Sequence, residues 1–186
     1  FHLTIVHKDH KEQVRNDGKR IVLEMARFQW YNEECQRKSG KSGYCIAADI
    51  RDTFFLSNPF NRIPKGGYDL VLGEEGANIG NSKFMSFWIH SCAKIDGGNF
   101  PSIKHKMTLN GGIIVGNSDG FAAIANAFKR YACNDQGALK YLYYNQERHM
   151  KESNNNDKSS ATATATLRKV LVQPLGEGLM YSGGSS

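Results

Sequence analysis

Apolar and polar residues alternate along this chain in blocks whose period switches several times between helix-like and strand-like. Phe1-His2-Leu3-Thr4-Ile5-Val6 reads as an opening strand. From Asp9 to about Lys38 helix formers dominate, and Ile21, Val22, Met25, Ala26, Phe28 and Trp30 recur near helical spacing, with a break or start near Asn16-Asp17-Gly18. Gly40 to Gly43 closes that segment, and Tyr44-Cys45-Ile46-Ala47-Ala48 is a short buried strand. Asn58-Pro59 and Pro64-Lys65-Gly66-Gly67 carry turn chemistry, and Tyr68 to Gly73 is the next strand.

The second half repeats the alternation. Ser82 caps a predicted helix that runs to Cys92, with Phe84, Phe87, Trp88 and Ser91 on one side. Leu109 to Asn117 is a strand with the pair Gly111-Gly112 at its entry. Helices follow over Asp119–Tyr131 and from Asn134 or Asp135 through Tyr144. A Lys/Glu/Ser/Asn/Asp segment at about 151–160 has nothing to bury and reads as a polar insertion. The low-complexity Ala-Thr repeat over 161–166 follows, and strand patterning resumes at Leu167–Val172 and Gly178–Tyr181. Strands alternating with helices predict an α/β fold with a mostly parallel central sheet flanked by helices.

Composition narrows this only a little. At 186 residues, 40% hydrophobic and 23% charged, the chain supports one sizeable core, so 1–186 reads as a single domain. It begins directly in a strand and closes on Gly183-Gly184-Ser185-Ser186, which reads as a piece of a longer protein cut at both ends. No apolar run approaches the roughly 18 residues of a membrane span. The 24 basic against 18 acidic residues give +6, spread without a Lys/Arg block, so a solvated basic surface is favoured over a nucleic-acid partner. Cys35, Cys45, Cys92 and Cys133 form no C-x-x-C pair, which removes the zinc and thioredoxin readings. Their even number permits disulfides in three full connectivities, and free buried thiols stand as an equal alternative.

Candidate chemistry centres on Asp49-Ile50-Arg51-Asp52. Carboxylates just past the C-terminal end of a buried strand face the crevice where open α/β sheets bind ligands, and oxygen ligands suit a hard divalent ion. Three other signatures fail. Gly40-Lys41-Ser42 lacks the upstream glycine of a phosphate-binding loop, because Cys35 stands there. Asp49-Ile50-Arg51-Asp52-Thr53 has the wrong spacing for an aspartyl-phosphate phosphatase. Gly73, Gly76 and Gly80 make no dinucleotide fingerprint. The plain alternative for Asp-Arg-Asp is a turn with an internal ion pair. Asn110-Gly111-Gly112 would let a backbone approach a ligand closely, with Asn110 free to bond hydroxyls, or is a plain bend. Asp135 is either a helix cap or, beside Gln136, a carboxylate facing an acceptor or a cationic sugar centre.

Taken in order, strand-DIRDTFFLSNPF, strand-Glu74-Glu75, a helix with Trp88, LNGGIIVG and Asn134-Asp135-Gln136 resemble the glycosyltransferase A-type (GT-A) nucleotide-diphospho-sugar transferase superfamily. The similarity is greatest to a D-x-R-D variant group and covers roughly Arg20 to Tyr144. The resemblance implies a single Rossmann-like GT-A domain that moves a sugar from a nucleotide-sugar donor to a glycan, protein or small-molecule hydroxyl. It implies Mn2+ or Mg2+ held by Asp49 and Asp52, with Arg51, Glu74 or Glu75, Asn110 and Gly111 on the donor and acceptor side. Asp135 and Gln136 take the catalytic positions, while Phe54, Phe55, Trp88 and Phe121 belong to the core. The D-x-x-D spacing departs from D-x-D, and a turn must intervene before both carboxylates converge. The resemblance and the cysteines together imply the secretory pathway or Golgi lumen. The alternative is a catalytically inactive GT-A-like binding or structural module within a larger assembly.

Overall fold

The structure, a computed structural model, describes residues 23–40, 43–49, 53, 58–63, 67–96, 103–131, 133–145, 167 and 169–174. The expectations for the opening strand, for Arg51, Asp52, Phe54 and Phe55, for the polar insertion and Ala-Thr repeat, and for Gly178–Tyr181 lie outside the described residues.

The first helix, α1 (Leu23–Ser39), leads into strand β1 (Cys45–Ala48), as the change of period predicts. A short turn of 3-10 helix at Pro59–Arg62 is capped by the Asn58 side chain, with Pro59 at a first-turn position where its missing N–H costs nothing. Strand β2 (Leu70–Asn78) continues five residues beyond the expected end at Gly73. The Gly-Glu-Glu-Gly sequence disguises this extension. Glu74 pairs with Leu109 and Asn78 with Met107, so β2 uses four residues where its partner uses two, and Gly76 absorbs the bulge at φ 75°.

Helix α2 (Lys83–Asp96) starts where Ser82 Oγ accepts the Met85 N–H at 3.2 Å. It buries Met85, Ile89, Cys92 and Ala93, and leaves Phe84 and Phe87 exposed, 75% and 68%. The aromatic side of this helix is therefore its outer side, with Trp88 half-buried at the margin. Strand β3 (Met107–Leu109) and strand β4 (Ile113–Gly116) are parted by Asn110-Gly111-Gly112, so the expected strand over Leu109–Asn117 is interrupted near its start. Helix α3 (Ser118–Arg130) is capped by Asn117, and helix α4 (Asp135–Tyr144) by Asn134, whose side chains accept the N–H groups of Gly120 and Gly137. Strand β5 (Val170–Gln173) completes the order.

The architecture is mixed α/β, with four helices and a five-stranded sheet among the described residues. β4 lies between β1 and β2 and runs antiparallel to both, β3 is antiparallel to the outer half of β2, and β5 is parallel to its inner half. The sheet is thus only partly parallel. β1, β2 and β5 share one direction, but the chain returns through β3 and β4 against it, so three of the four ladders are antiparallel. Simple alternation along a sequence cannot distinguish this return from a parallel crossover.

The helices pack chiefly as two pairs, α1 with α3 and α2 with α4. Phe28 of α1 meets Phe128 of α3 edge-on at 4.8 Å between ring centroids, a favoured aromatic geometry, and Phe121 is fully buried beside them as expected. Tyr131 and Tyr141 make a second edge-on pair at 5.3 Å, linking the end of α3 to α4. Two disulfides select one of the three connectivities: Cys35–Cys45 ties α1 to β1, and Cys92–Cys133 ties α2 to the approach of α4. Asp69, buried before β2, accepts the Lys169 N–H with one carboxylate oxygen and the Asn117 side chain with the other, so it fastens β5 and the cap of α3 to the same point. Among the described residues no helix is long and apolar enough to cross a membrane.

Candidate functional site

β1 ends at Ala48 and the antiparallel β4 begins at Ile113, so Asp49 and Gly112 meet at one edge of the sheet, where the Asp49 N–H donates to the Gly112 carbonyl at 2.7 Å. Across this edge lies the N-terminus of α4. Asn134 performs the capping, which leaves Asp135, the first helical residue, with a carboxylate free for other partners. One oxygen of Asp135 accepts the Gln136 N–H at 2.8 Å, and the other faces α1.

The group that joins these segments is Arg27 of α1. One terminal nitrogen donates to Asp49 Oδ1 at 2.9 Å and the other to Asp135 Oδ2 at 2.8 Å. A single guanidinium thus bridges two carboxylates from distant parts of the chain, using the planar fork that distinguishes arginine from lysine. Side-chain exposures of 22% for Arg27 and 13% for Asp135, against 45% for Asp49, set a depth order: Asp135 is the buried partner and Asp49 the open one. Burial alone would lower the Arg27 pKa, but Asp135, then Tyr31 and Asp49, raise it on balance. Burial raises the Tyr31 hydroxyl, and the Arg27 charge only partly reverses that. Arg27 has no signal of its own in the sequence, where it reads as a polar position on an amphipathic helix. Only the tertiary fold brings it to Asp49.

The glycines of the β3–β4 junction have separate duties. Gln136 lies flat against Gly111, so that a Cβ there would stand 2.9 Å from the side-chain amide and Gln136 would have to move aside. At Gly112 an added Cβ would stand 3.0 Å from Asp49 Oδ2. Asn110 is buried, and its side-chain oxygen accepts the N–H groups of Gly112 and Ile113 at 2.8 and 2.9 Å. That oxygen shapes the turn, an alternative to the hydroxyl-binding use expected from the sequence.

One turn further along α4, Lys140 is fully buried and donates to Gln136 Oε1 at 2.5 Å. Since an ammonium can only donate, Gln136 must present its oxygen to Lys140 and turn its NH2 the other way. Burial pushes the Lys140 pKa down to about 8, against the opposing pull of Glu75 and Asp135. Loss of water raises the carboxyl of Glu75, on the bulge of β2, and the Lys140 charge counters the rise. Lys140 escapes sequence reading because it occupies an ordinary helical position. Its i, i+4 spacing from Gln136 is the one signal that links it to the site.

The structure therefore brings Asp49, Gly111, Asp135 and Gln136 to one place, with Asn110 supporting the turn and Glu75 joined through Lys140. Arg51 and Asp52 lie outside the described residues. Arg27, Phe28, Tyr31, Ala47, Ala48, Asp49, Gly111, Gly112 and Ile114 line a small, partly open recess. Among the described residues no three His, Cys, Asp or Glu side chains converge as metal ligands. No family model matches this chain, and no curated protein or solved structure matches it.

Proposed function

We propose that this edge of the sheet is the sugar-facing part of a nucleotide-sugar site, and that the protein transfers a sugar from a nucleotide-sugar donor to a hydroxyl of a glycan, protein or small molecule. One observation carries the reading: Asp49 after β1, Gly111 before β4, and Asp135 with Gln136 on α4, remote in sequence, come together around Arg27 and the β3–β4 turn. Supporting it is the resemblance of the strand-DIRD and LNGGIIVG segments, which implies Asp49 as a metal ligand, Gly111 on the donor and acceptor side, and Asp135 with Gln136 at the catalytic positions.

In this reading Asp49 Oδ2, at the exposed end of the cleft, accepts from a sugar hydroxyl, and the Gln136 NH2 donates to a neighbouring oxygen. Asp135, hydrogen-bonded to Arg27, stabilises positive charge as the glycosidic bond lengthens. Gly111 lets the Gln136 side chain lie against the β3–β4 turn, which sets where its NH2 can reach. A divalent ion, Mn2+ or Mg2+, is part of the resemblance. The resemblance gives that ion to Asp49 and Asp52; Asp49 already gives one oxygen to Arg27, and Asp52 lies outside the described residues. The two disulfides are compatible with the secretory or Golgi-lumenal location that the reading carries.

A second reading, a catalytically inactive GT-A-like module acting in binding or assembly, is favoured by the pairing of Asp49 and Asp135 with Arg27 from within. Calorimetric titration with UDP- and GDP-sugars separates the two. The transferase reading expects binding that weakens at least about tenfold in both Asp49→Asn and Asp135→Asn, a loss of about 1.4 kcal/mol. Absence of binding, or binding indifferent to both substitutions, rejects it and leaves the structural module.

A further inference from the structure

We infer that Arg27, and not a divalent ion, is the resident counter-cation of Asp49 and Asp135. The inference concerns the cleft of the proposed function and rests on that reading only for the expectation of a metal.

Three observations carry it. The first is occupancy: the two terminal nitrogens of one guanidinium take Asp49 Oδ1 and Asp135 Oδ2 at 2.9 and 2.8 Å, so a cation already sits between these two carboxylates. Hard divalent ions require several oxygen ligands at close range and hold on to their water.

The second is charge. Two carboxylates and one arginine leave a single negative excess, and Lys140 and Glu75 behind them cancel each other. A divalent ion entering with Arg27 still in place would meet a cation beside it. With Arg27 removed, two unneutralised carboxylates would face one another, which is the charge arrangement that attracts such an ion.

The third is a stranded donor. Arg27 Nε is buried and finds no acceptor among the described residues. Buried donors are normally satisfied, and an unmet one is costly. Arg27 holds this position through its two carboxylate bonds, with the guanidinium also 5.2 Å from the Phe28 ring centroid. Its placement follows the carboxylates, as a counter-ion's would, and is not the best hydrogen bonding available to its own side chain.

The test is a titration of the full chain, without nucleotide, with Mn2+ followed by electron paramagnetic resonance. The natural chain is expected to show no saturable site tighter than about 1 mM, and Arg27→Met to gain one at least about tenfold tighter. Adding Asp49→Asn to Arg27→Met should remove the gained site. Saturable Mn2+ binding by the natural chain that is lost in Asp49→Asn or Asp135→Asn would overturn the inference, and so would a folded Arg27→Met that gains no site. If Arg27→Met does not fold, the natural chain and its two aspartate variants decide the matter alone. A chain that binds no sugar nucleotide yet gives the expected Mn2+ results ends the transferase reading and leaves the role of Arg27 intact.

Discussion

Lys140 shows how much one residue can depart from its type. An ammonium with no exposed surface is normally tolerated only when paired, yet its direct partner is the neutral amide of Gln136. With its pKa down to about 8, from an ordinary 10.5, Lys140 makes stability depend on pH in a definite direction. Below about pH 8 it is charged in both the folded and unfolded chain, and the full cost of burying that charge is present. Above that, the unfolded chain holds a proton that the folded chain has released, so stability rises with pH until the unfolded lysine titrates too. Urea unfolding should therefore show the natural chain gaining about 2 kcal/mol relative to Lys140→Met between about pH 7.5 and pH 9.5. The comparison with the variant matters, because Tyr143 and Tyr144, both raised by burial, begin to oppose the trend at higher pH. A difference that stays constant across this range would mean that Lys140 keeps its proton.

Among the elements, the two disulfides make unequal contributions that follow from where they sit. Cys35–Cys45 closes a span of 10 residues between α1 and β1, whereas Cys92–Cys133 closes 41 and joins α2 to the start of α4. Chain-entropy scaling gives roughly 3 kcal/mol for the shorter loop and roughly 4 for the longer. Replacing Cys92 and Cys133 by Ala should accordingly cost more in equilibrium denaturation than replacing Cys35 and Cys45; the reverse order would show native-state effects outweighing loop length. This pairing was open from sequence, since four cysteines allow three arrangements and none is chosen by spacing. Elements whose signals are local were legible: Ser82 and Asn134 mark helix starts because capping depends on the neighbouring N–H groups alone. The extension of β2 through Glu74-Glu75-Gly76 was not, because a bulge with two glycines looks like a loop until its partner strand is known. The sheet direction failed for a related reason. Whether β4 returns antiparallel depends on which edge it joins, and nothing within residues 113–116 encodes that. Trp88 and its neighbours Phe84 and Phe87 have helical spacing, but spacing cannot say which side of α2 faces the core.

At the scale of the whole molecule, Arg27 is the point where α1, the end of β1 and the start of α4 are held together. The sequence presented Asp49 and Asp135 as separate candidates; their common partner is what makes them one site. Stability should then fall in an order set by what each substitution leaves behind. Arg27→Met leaves two carboxylates with no counter-charge and should cost about 3 kcal/mol. Asp135→Asn removes the buried partner but leaves Arg27 bonded to Asp49, for about 1–2 kcal/mol. Asp49→Asn affects the more exposed pair and should cost less than about 1 kcal/mol. Replacing all three together removes the charges as well as the bonds, so the triple variant should be more stable than Arg27→Met alone. Hydrogen exchange adds a spatial check, because loosening the clasp should speed exchange at both α1 and the first turn of α4, which share few other contacts. If the triple variant is the least stable of the set, or if exchange changes only in α1, then Arg27 packs against its own helix and does not tie the two ends of the cleft together.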